Sequence, residues 1–174
     1  MVLIRRATAA DAAAIAAIYA PYVAESAATF EEVAPDAAEV ARRMEGTDLA
    51  YPWLVAEANG ELLGYASSSC FRHRSAYRWS VETGVYVAPP AQRRGVARAL
   101  LTELIDALTD AGFVTAIASI SLPNAASAGL HEALGYRLAG TIKAPGYKLG
   151  EWVDIGYWQR DLAERQVPPT EPAG

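Results

Sequence analysis

The stretch Val85-Tyr86-Val87-Ala88-Pro89-Pro90-Ala91-Gln92-Arg93-Arg94-Gly95-Val96-Ala97 decides how this chain is read. Its first residues alternate like a strand and stop at two prolines. From Ala97 to Asp110, apolar residues recur at helical spacing. The basic, glycine-containing turn therefore falls where a strand hands over to a helix N-terminus. Backbone N–H groups there lack intrahelical partners, and the helix dipole favours negative charge. Arg93, Arg94 and Arg98 surround the turn, and Gly95 lets the backbone approach an anion closely. The turn reads as a seat for a pyrophosphate.

Two familiar phosphate-binding patterns do not fit. A dinucleotide fingerprint needs three spaced glycines, and a P-loop needs a Gly-Lys-Ser/Thr ending. Neither stands here. The net charge of −5 argues against a general nucleic-acid binder. Yet between Arg72 and Arg98 lie six arginines and one acid, Glu82, so a basic strip is set into an acidic protein. That distribution predicts small anionic ligands. With 174 residues the simplest organisation is one domain over 1–162, followed by a Pro-rich tail over 163–174 expected to be disordered. A single cysteine, Cys70, excludes an internal disulfide and fits a reducing cytoplasm. No apolar run is long enough for a membrane span, and the N-terminal residues do not read as a signal peptide.

Outward from the turn, the pattern predicts strands at Val2–Arg6, Trp53–Glu57, Leu62–Ser69, Tyr77–Val87, Phe113–Ile120, Tyr136–Ile142 and Glu151–Gln159. Helices are expected from Asp11 to Tyr19, with an end made irregular by Pro21 and Ser26, from Pro35 to Met44, closed by Gly46, and from Asn124 to Leu134. Asn59-Gly60 is the best hairpin turn. An antiparallel meander followed by strand–helix–strand–helix–strand gives a mixed α/β sheet.

The hexapeptide Gln-x-x-Gly-x-Ala at 92–97 resembles the acyl-CoA pyrophosphate loop of the GNAT acetyltransferases. Four further segments narrow the likeness. Arg72-His73-Arg74-Ser75-Ala76-Tyr77-Arg78-Trp79 leads into Glu82-Thr83-Gly84-Val85-Tyr86-Val87, and Leu122-Pro123-Asn124 opens the helix carrying His131-Glu132-Ala133-Leu134-Gly135-Tyr136. Tyr51-Pro52-Trp53-Leu54-Val55-Ala56-Glu57 and Gly150-Glu151-Trp152-Val153-Asp154-Ile155-Gly156-Tyr157-Trp158-Gln159 complete the set. Together they resemble the phosphinothricin and methionine sulfone/sulfoximine N-acetyltransferase branch, from Ile4 to about Asp161.

The resemblance implies a GNAT fold, an α/β architecture whose mixed, mostly antiparallel sheet is flanked by helices. It implies acetyl-CoA as co-substrate, no metal, and a homodimer to which the late strands contribute. The cofactor would lie on Val85, Val87, Arg93, Arg94, Gly95, Val96, Ala97, Arg98, Asn124 and Ser127. Glu82 would be the general base, and His131, where many relatives carry a tyrosine, the second proton-transfer group. Arg72, Arg74 and Tyr77 would hold an anionic acceptor, with Phe30 closing the pocket and Tyr86 lining it. Gly84 departs from the threonine common among phosphinothricin enzymes. The function implied is acetylation of the α-amine of a small anionic amino acid. The competing readings are acetylation of another amine, such as a protein N-terminus, an acyl-CoA sensor without turnover, and a nucleotide-binding module.

Overall fold

The computed structural model describes residues 2–45 and 51–172; Gly46, expected to close the second helix, lies outside them. Seven strands form one sheet: β1 (Leu3–Arg6), β2 (Trp53–Ala58), β3 (Glu61–Cys70), β4 (Ser80–Val87), β5 (Thr115–Leu122), β6 (Arg137–Lys148) and β7 (Glu151–Asp161). Their order is β1-β2-β3-β4-β5-β7-β6. Every neighbouring pair is antiparallel except β4 with β5, as the mixed, mostly antiparallel expectation requires.

Helices cover both faces. On one face α3 (Val96–Asp110) buries Leu100, Leu101, Leu104, Ile105 and Leu108, at helical spacing, and α4 (Ala125–Ala133) lies beside it. On the other, α1 (Ala12–Glu25) and α2 (Ala37–Glu45) bury Ile15, Ile18, Tyr19, Val23 and Val40 against Val55 and Tyr65. Asn59 and Gly60 both adopt positive φ in the β2–β3 turn, as a two-residue hairpin needs.

Most boundaries shift by a residue or two, and three differ in ways with a clear physical reason. The helix does not become irregular at Pro21: α1 runs through it to Glu25. One backbone hydrogen bond is lost, but Val23 beyond the proline is buried and Tyr22 is held by the sheet, which offsets it. The strand predicted from Tyr77 begins only at Ser80, because Tyr77 and Arg78 donate their N–H groups to Arg74 and Ser75 in a 3-10 turn. The strand predicted to end at Ile142 continues to Lys148, with a register shift between Ile142 and Gly146 where Ala144 and Pro145 intervene. That strand is an edge, where proline is tolerated.

Arg5 anchors the first strand. It donates two 2.8 Å bonds to Asp11 and two more to Glu57 at 2.9 and 3.1 Å, while Thr8 N–H donates to Asp11 at 2.7 Å. The Arg5 guanidinium, ahead of the Thr8 bonds, holds the buried Asp11 carboxyl down at about 2. Residues 163–172 carry no helix or strand, and Glu171 accepts two bonds from Arg78 while Thr170 O accepts Trp79 Nε1–H at 2.8 Å.

Candidate active site

The one parallel pair creates the site. β4 and β5 pair only over Ser80↔Thr115, Val81↔Ala116 and Glu82↔Ile117. Beyond Glu82, β4 stays with β3 as far as Val87↔Gly64, while β5 stays with β7 as far as Leu122↔Asp154. The two strands diverge into a fork. Val87 shows what this exposes: its C=O accepts a 2.6 Å bond from Tyr22 OH instead of pairing with a strand. Peptide groups repeat their direction every second residue, so Val85 turns its N–H and C=O the same way, into the fork.

A cavity of about 500 Å³ fills the fork. Val85 and Val87 line one side, Ala118 to Ser121 the other, and the turn before α3 closes it below. In that turn Arg93 has φ 59° and Gly95 φ 82°, and the first N–H groups of α3 follow. A Cβ built on Gly95 meets nothing within 4 Å. The space before the turn is therefore open, and a diphosphate can reach the unpaired amides. Arg93, Gly95, Val96, Ala97 and Arg98 line the cavity; Arg94 is exposed and does not. Asn124 and Ser127 line it too, and Asn124 Oδ1 accepts Ser127 N–H at 3.1 Å as the cap of α4.

His131 lies 3% exposed on the wall of this cavity, edge-on to Tyr136. Its Nδ1 sits 2.8 Å from Ser127 O, which can only accept, so Nδ1 carries the proton. Nε2 is buried without a partner. Burial pushes the imidazole below its usual value, outweighing the Ser127 carbonyl, which acts the other way. The ring is thus neutral, and Nε2 presents a bare lone pair.

Glu82 stands at the closed end of the fork, half-buried, with Ser119 Oγ donating to its Oε1 at 2.6 Å. Alternation places Glu82, Gly84 and Tyr86 on the α1/α2 face of β4. There a second cavity, about 590 Å³, runs between sheet and helices. Thr83, Gly84, Tyr86 and Ser119 line both cavities, so the two abut one another next to Glu82. Tyr86 is wedged between the rings of Tyr19, Tyr22 and Tyr65, and burial pushes its phenol well up, keeping it protonated.

The substrate-side residues fall elsewhere. Arg72, Arg74 and Tyr77 are exposed and line neither cavity; Arg72 lies over the Phe71 ring, and Tyr77 packs edge-on against it. Phe30 is also outside both linings, its ring pressed on Gly146 of β6. Two arginines of α2 do line the second cavity: Arg42, which donates to Glu39, and Arg43, which donates to Glu31 at 2.7 and 3.0 Å. Sequence reasoning missed Arg43 because it reads as one more charge on an amphipathic helix. It also missed Tyr22, which only the continuation of α1 past Pro21 brings to Val87. Among the described residues no group of three or more His, Cys, Asp or Glu is arranged to hold a metal.

A helix N-terminus open to a diphosphate, joined past the Val85 peptide that faces the fork to a carboxylate, is what holding a coenzyme A thioester beside an amine requires. That defines the class of acyl-CoA-dependent transferases. Residues 4–156 match the acetyltransferase (GNAT) domain, and the chain belongs to that family. It is similar to the phosphinothricin N-acetyltransferase of Streptomyces viridochromogenes, 44% identical over 95% of this chain and 90% of that one. The L-methionine sulfoximine/L-methionine sulfone acetyltransferase of Salmonella typhimurium is 38% identical over 95% and 97%. Among solved structures, a phosphinothricin acetyltransferase from Sinorhizobium meliloti in complex with acetyl-CoA superimposes with a TM-score of 0.91, at 41% identity over 98% of this chain and 94% of that one. The protein is an acetyl-CoA-dependent N-acetyltransferase of the phosphinothricin acetyltransferase type.

Proposed function

We propose that the acceptor is the α-amine of a small anionic amino acid of the phosphinothricin, methionine sulfone or methionine sulfoximine type. The observation that carries this is the meeting of the two cavities beside Glu82. The thioester lies along the Val85–Val87 amides, the pyrophosphate rests on the turn from Arg93 to Arg98, and the amino acid enters from the α1/α2 face. The relatives that act on such amino acids support the choice of acceptor.

The amine nitrogen attacks the thioester carbonyl carbon, the C–N bond forms, and the C–S bond breaks. Glu82, oriented by Ser119, takes the proton the amine gives up, directly or through a water. An amide N–H of β4 stabilises the charge developing on the carbonyl oxygen. The thiolate leaves and is protonated. His131, neutral with a bare Nε2, must first accept a proton before it can supply one, so its place is in the relay of protons along the donor cavity. The protein works as a homodimer joined through its late strands, whose Ile142, Tyr147 and Trp152 are exposed on β6 and β7.

The test is thiol release from acetyl-CoA with phosphinothricin, methionine sulfone, methionine sulfoximine, glutamate and an N-terminal peptide offered separately. Release with an amino acid analogue is expected. Release with the peptide alone would move the function to protein acetylation.

A further inference from the structure

Of Lys143 and Lys148, the lysines of the chain, Lys148 is buried, at 6% exposed. An ammonium is costly to bury unless hydrogen bonds and opposite charge hold it. Lys148 Nζ donates to Thr29 O at 2.7 Å. Burial lowers the pKa of the ammonium, and the nearby carboxylates of Glu32 and Glu31 oppose that shift. Lys148 ends β6, just before the Leu149-Gly150 turn, whereas Thr29 belongs to the segment joining α1 to α2. The bond spans 119 residues of sequence. The chemistry of acetyl transfer makes no use of it.

What Thr29 touches next leads to the second cavity. Tyr19 OH donates its one proton to Glu31 Oε1 at 3.0 Å and accepts from Thr29 Oγ1 at 2.5 Å. Thr29 Oγ1 also accepts the Glu31 N–H at 3.2 Å, and the Glu31 carboxylate holds Arg43. Tyr19, Glu31 and Arg43 all line the second cavity, and Tyr19 lies edge-on to Tyr86. A parallel contact runs through the next residue: the Phe30 ring covers Gly146 so closely that a Cβ there would stand 2.1 Å from it. Residues 29–31 are thus fixed outward to β6 and inward to the wall of that cavity. Lys148 itself lines neither cavity, so it acts through these bonds and touches no ligand.

We propose that Lys148 is a positioning residue for the acceptor: by tying Thr29 to β6 it sets where Tyr19, Glu31 and Arg43 stand in the wall of the second cavity. The proposal rests on the reading that the acceptor amino acid enters that cavity. Residues 26–31 carry no helix or strand, so no backbone ladder of their own holds them in place. A wall displaced by about 1 Å is enough to spoil the approach of a small acceptor. None of Thr29, Phe30, Gly146 and Lys148 lines the donor cavity. Loss of the tie is therefore felt by the acceptor and not by acetyl-CoA.

The experiment compares the wild-type protein with Lys148→Met, which keeps the apolar stem and removes the donor, and with Lys148→Arg, which keeps a charged donor. Lys148→Gln, with a shorter neutral donor, takes the place of a methionine variant that fails to fold. Steady-state rates are measured with methionine sulfone, or with whichever acceptor gives the fastest acetyl transfer. Calorimetry gives the acetyl-CoA dissociation constant, and amide hydrogen exchange reads residues 26–36. Lys148→Met is expected to raise the acceptor KM about tenfold, with kcat within about threefold and acetyl-CoA binding retained. Exchange over residues 26–36 is expected to quicken, and Lys148→Arg to recover most of the acceptor KM. An acceptor KM that Lys148→Met leaves unmoved overturns the proposal, as does unchanged exchange over residues 26–36. A rise shared equally by acceptor KM and the acetyl-CoA dissociation constant marks a general loss of structure and overturns it too. Silence of the wild type with every amine defeats the amino-acid reading together with the role built on it, whereas an active wild type matched by Lys148→Met defeats the role alone.

Discussion

Ser119 Oγ donates a 2.6 Å hydrogen bond to Glu82 Oε1 across the closed end of the fork, two residues beyond Ile117, the last β5 partner of β4. The bond ties the carboxylate to the strand that leaves β4, where the two cavities abut. One carboxylate oxygen is occupied by that bond.

Glu82→Gln keeps the shape and removes the proposed base. Turnover is expected to fall about 100-fold, with the acetyl-CoA dissociation constant retained. Ser119→Ala frees the carboxylate without removing it, and a loss nearer tenfold in kcat is expected, restored in part by Ser119→Thr. Near-normal turnover in Glu82→Gln, read by thiol release, takes Glu82 out of the mechanism.

Gly95 sits at φ 82° with nothing near its missing Cβ. Gly95→Ala therefore meets no clash, and the cost is the left-handed backbone alone, about 1–2 kcal/mol. Relaxation of that strain would turn the first amides of α3 away from the proposed diphosphate position. The acetyl-CoA dissociation constant is expected to rise about tenfold; an unchanged value would place the pyrophosphate elsewhere.

His131 is buried with its pKa lowered, so the unfolded chain binds its proton more readily than the native protein does. Its contribution to stability is present above the unfolded value of about 6.5 and is lost as pH falls through that value toward the lower folded one. Urea midpoints at pH 7.5 and pH 5 should differ more for the wild type than for His131→Gln. Equal differences in the two proteins mean that another group carries the pH dependence.

Asp11 is also shifted downward, by Arg5. Its stabilisation is full above the unfolded carboxyl value of about 3.9 and disappears as pH falls toward 2. Asp11→Asn leaves Arg5 with Glu57 alone and is expected to cost roughly 2–3 kcal/mol at pH 7, with little further loss on acidification. Denaturant unfolding of both proteins at pH 7 and pH 3 checks both statements.

Arg74 is exposed and lines neither cavity, whereas Arg43 lines the second one in a pair with Glu31. If Arg74 guides the acceptor, Arg74→Ala raises the acceptor KM about fivefold or more and leaves that of acetyl-CoA nearly constant. Equal effects on both constants, or none, remove Arg74 from the acceptor side.

The strand, the turn and helix α3 were legible because each depends on residues close in the chain: the alternation up to Val87, the prolines that stop it, Gly95 at positive φ, and the apolar spacing of Leu100, Leu101, Leu104, Ile105 and Leu108. Asn124 as a helix cap and Asn59-Gly60 as a hairpin are local in the same sense. What makes a site of these parts is not local. Glu82 and Ser119 are 37 residues apart and Tyr22 and Val87 are 65 apart, so their contacts follow from the order of the strands and from how soon β4 and β5 separate. The proton position on His131 follows from its packing against Ser127 O, and the placing of Arg43 at the second cavity from how α2 docks. Sequence periodicity determines which face of an element is apolar; only the assembled sheet decides which side chains from distant elements share a cavity, because burial and hydrogen bonding are settled between elements and not within them.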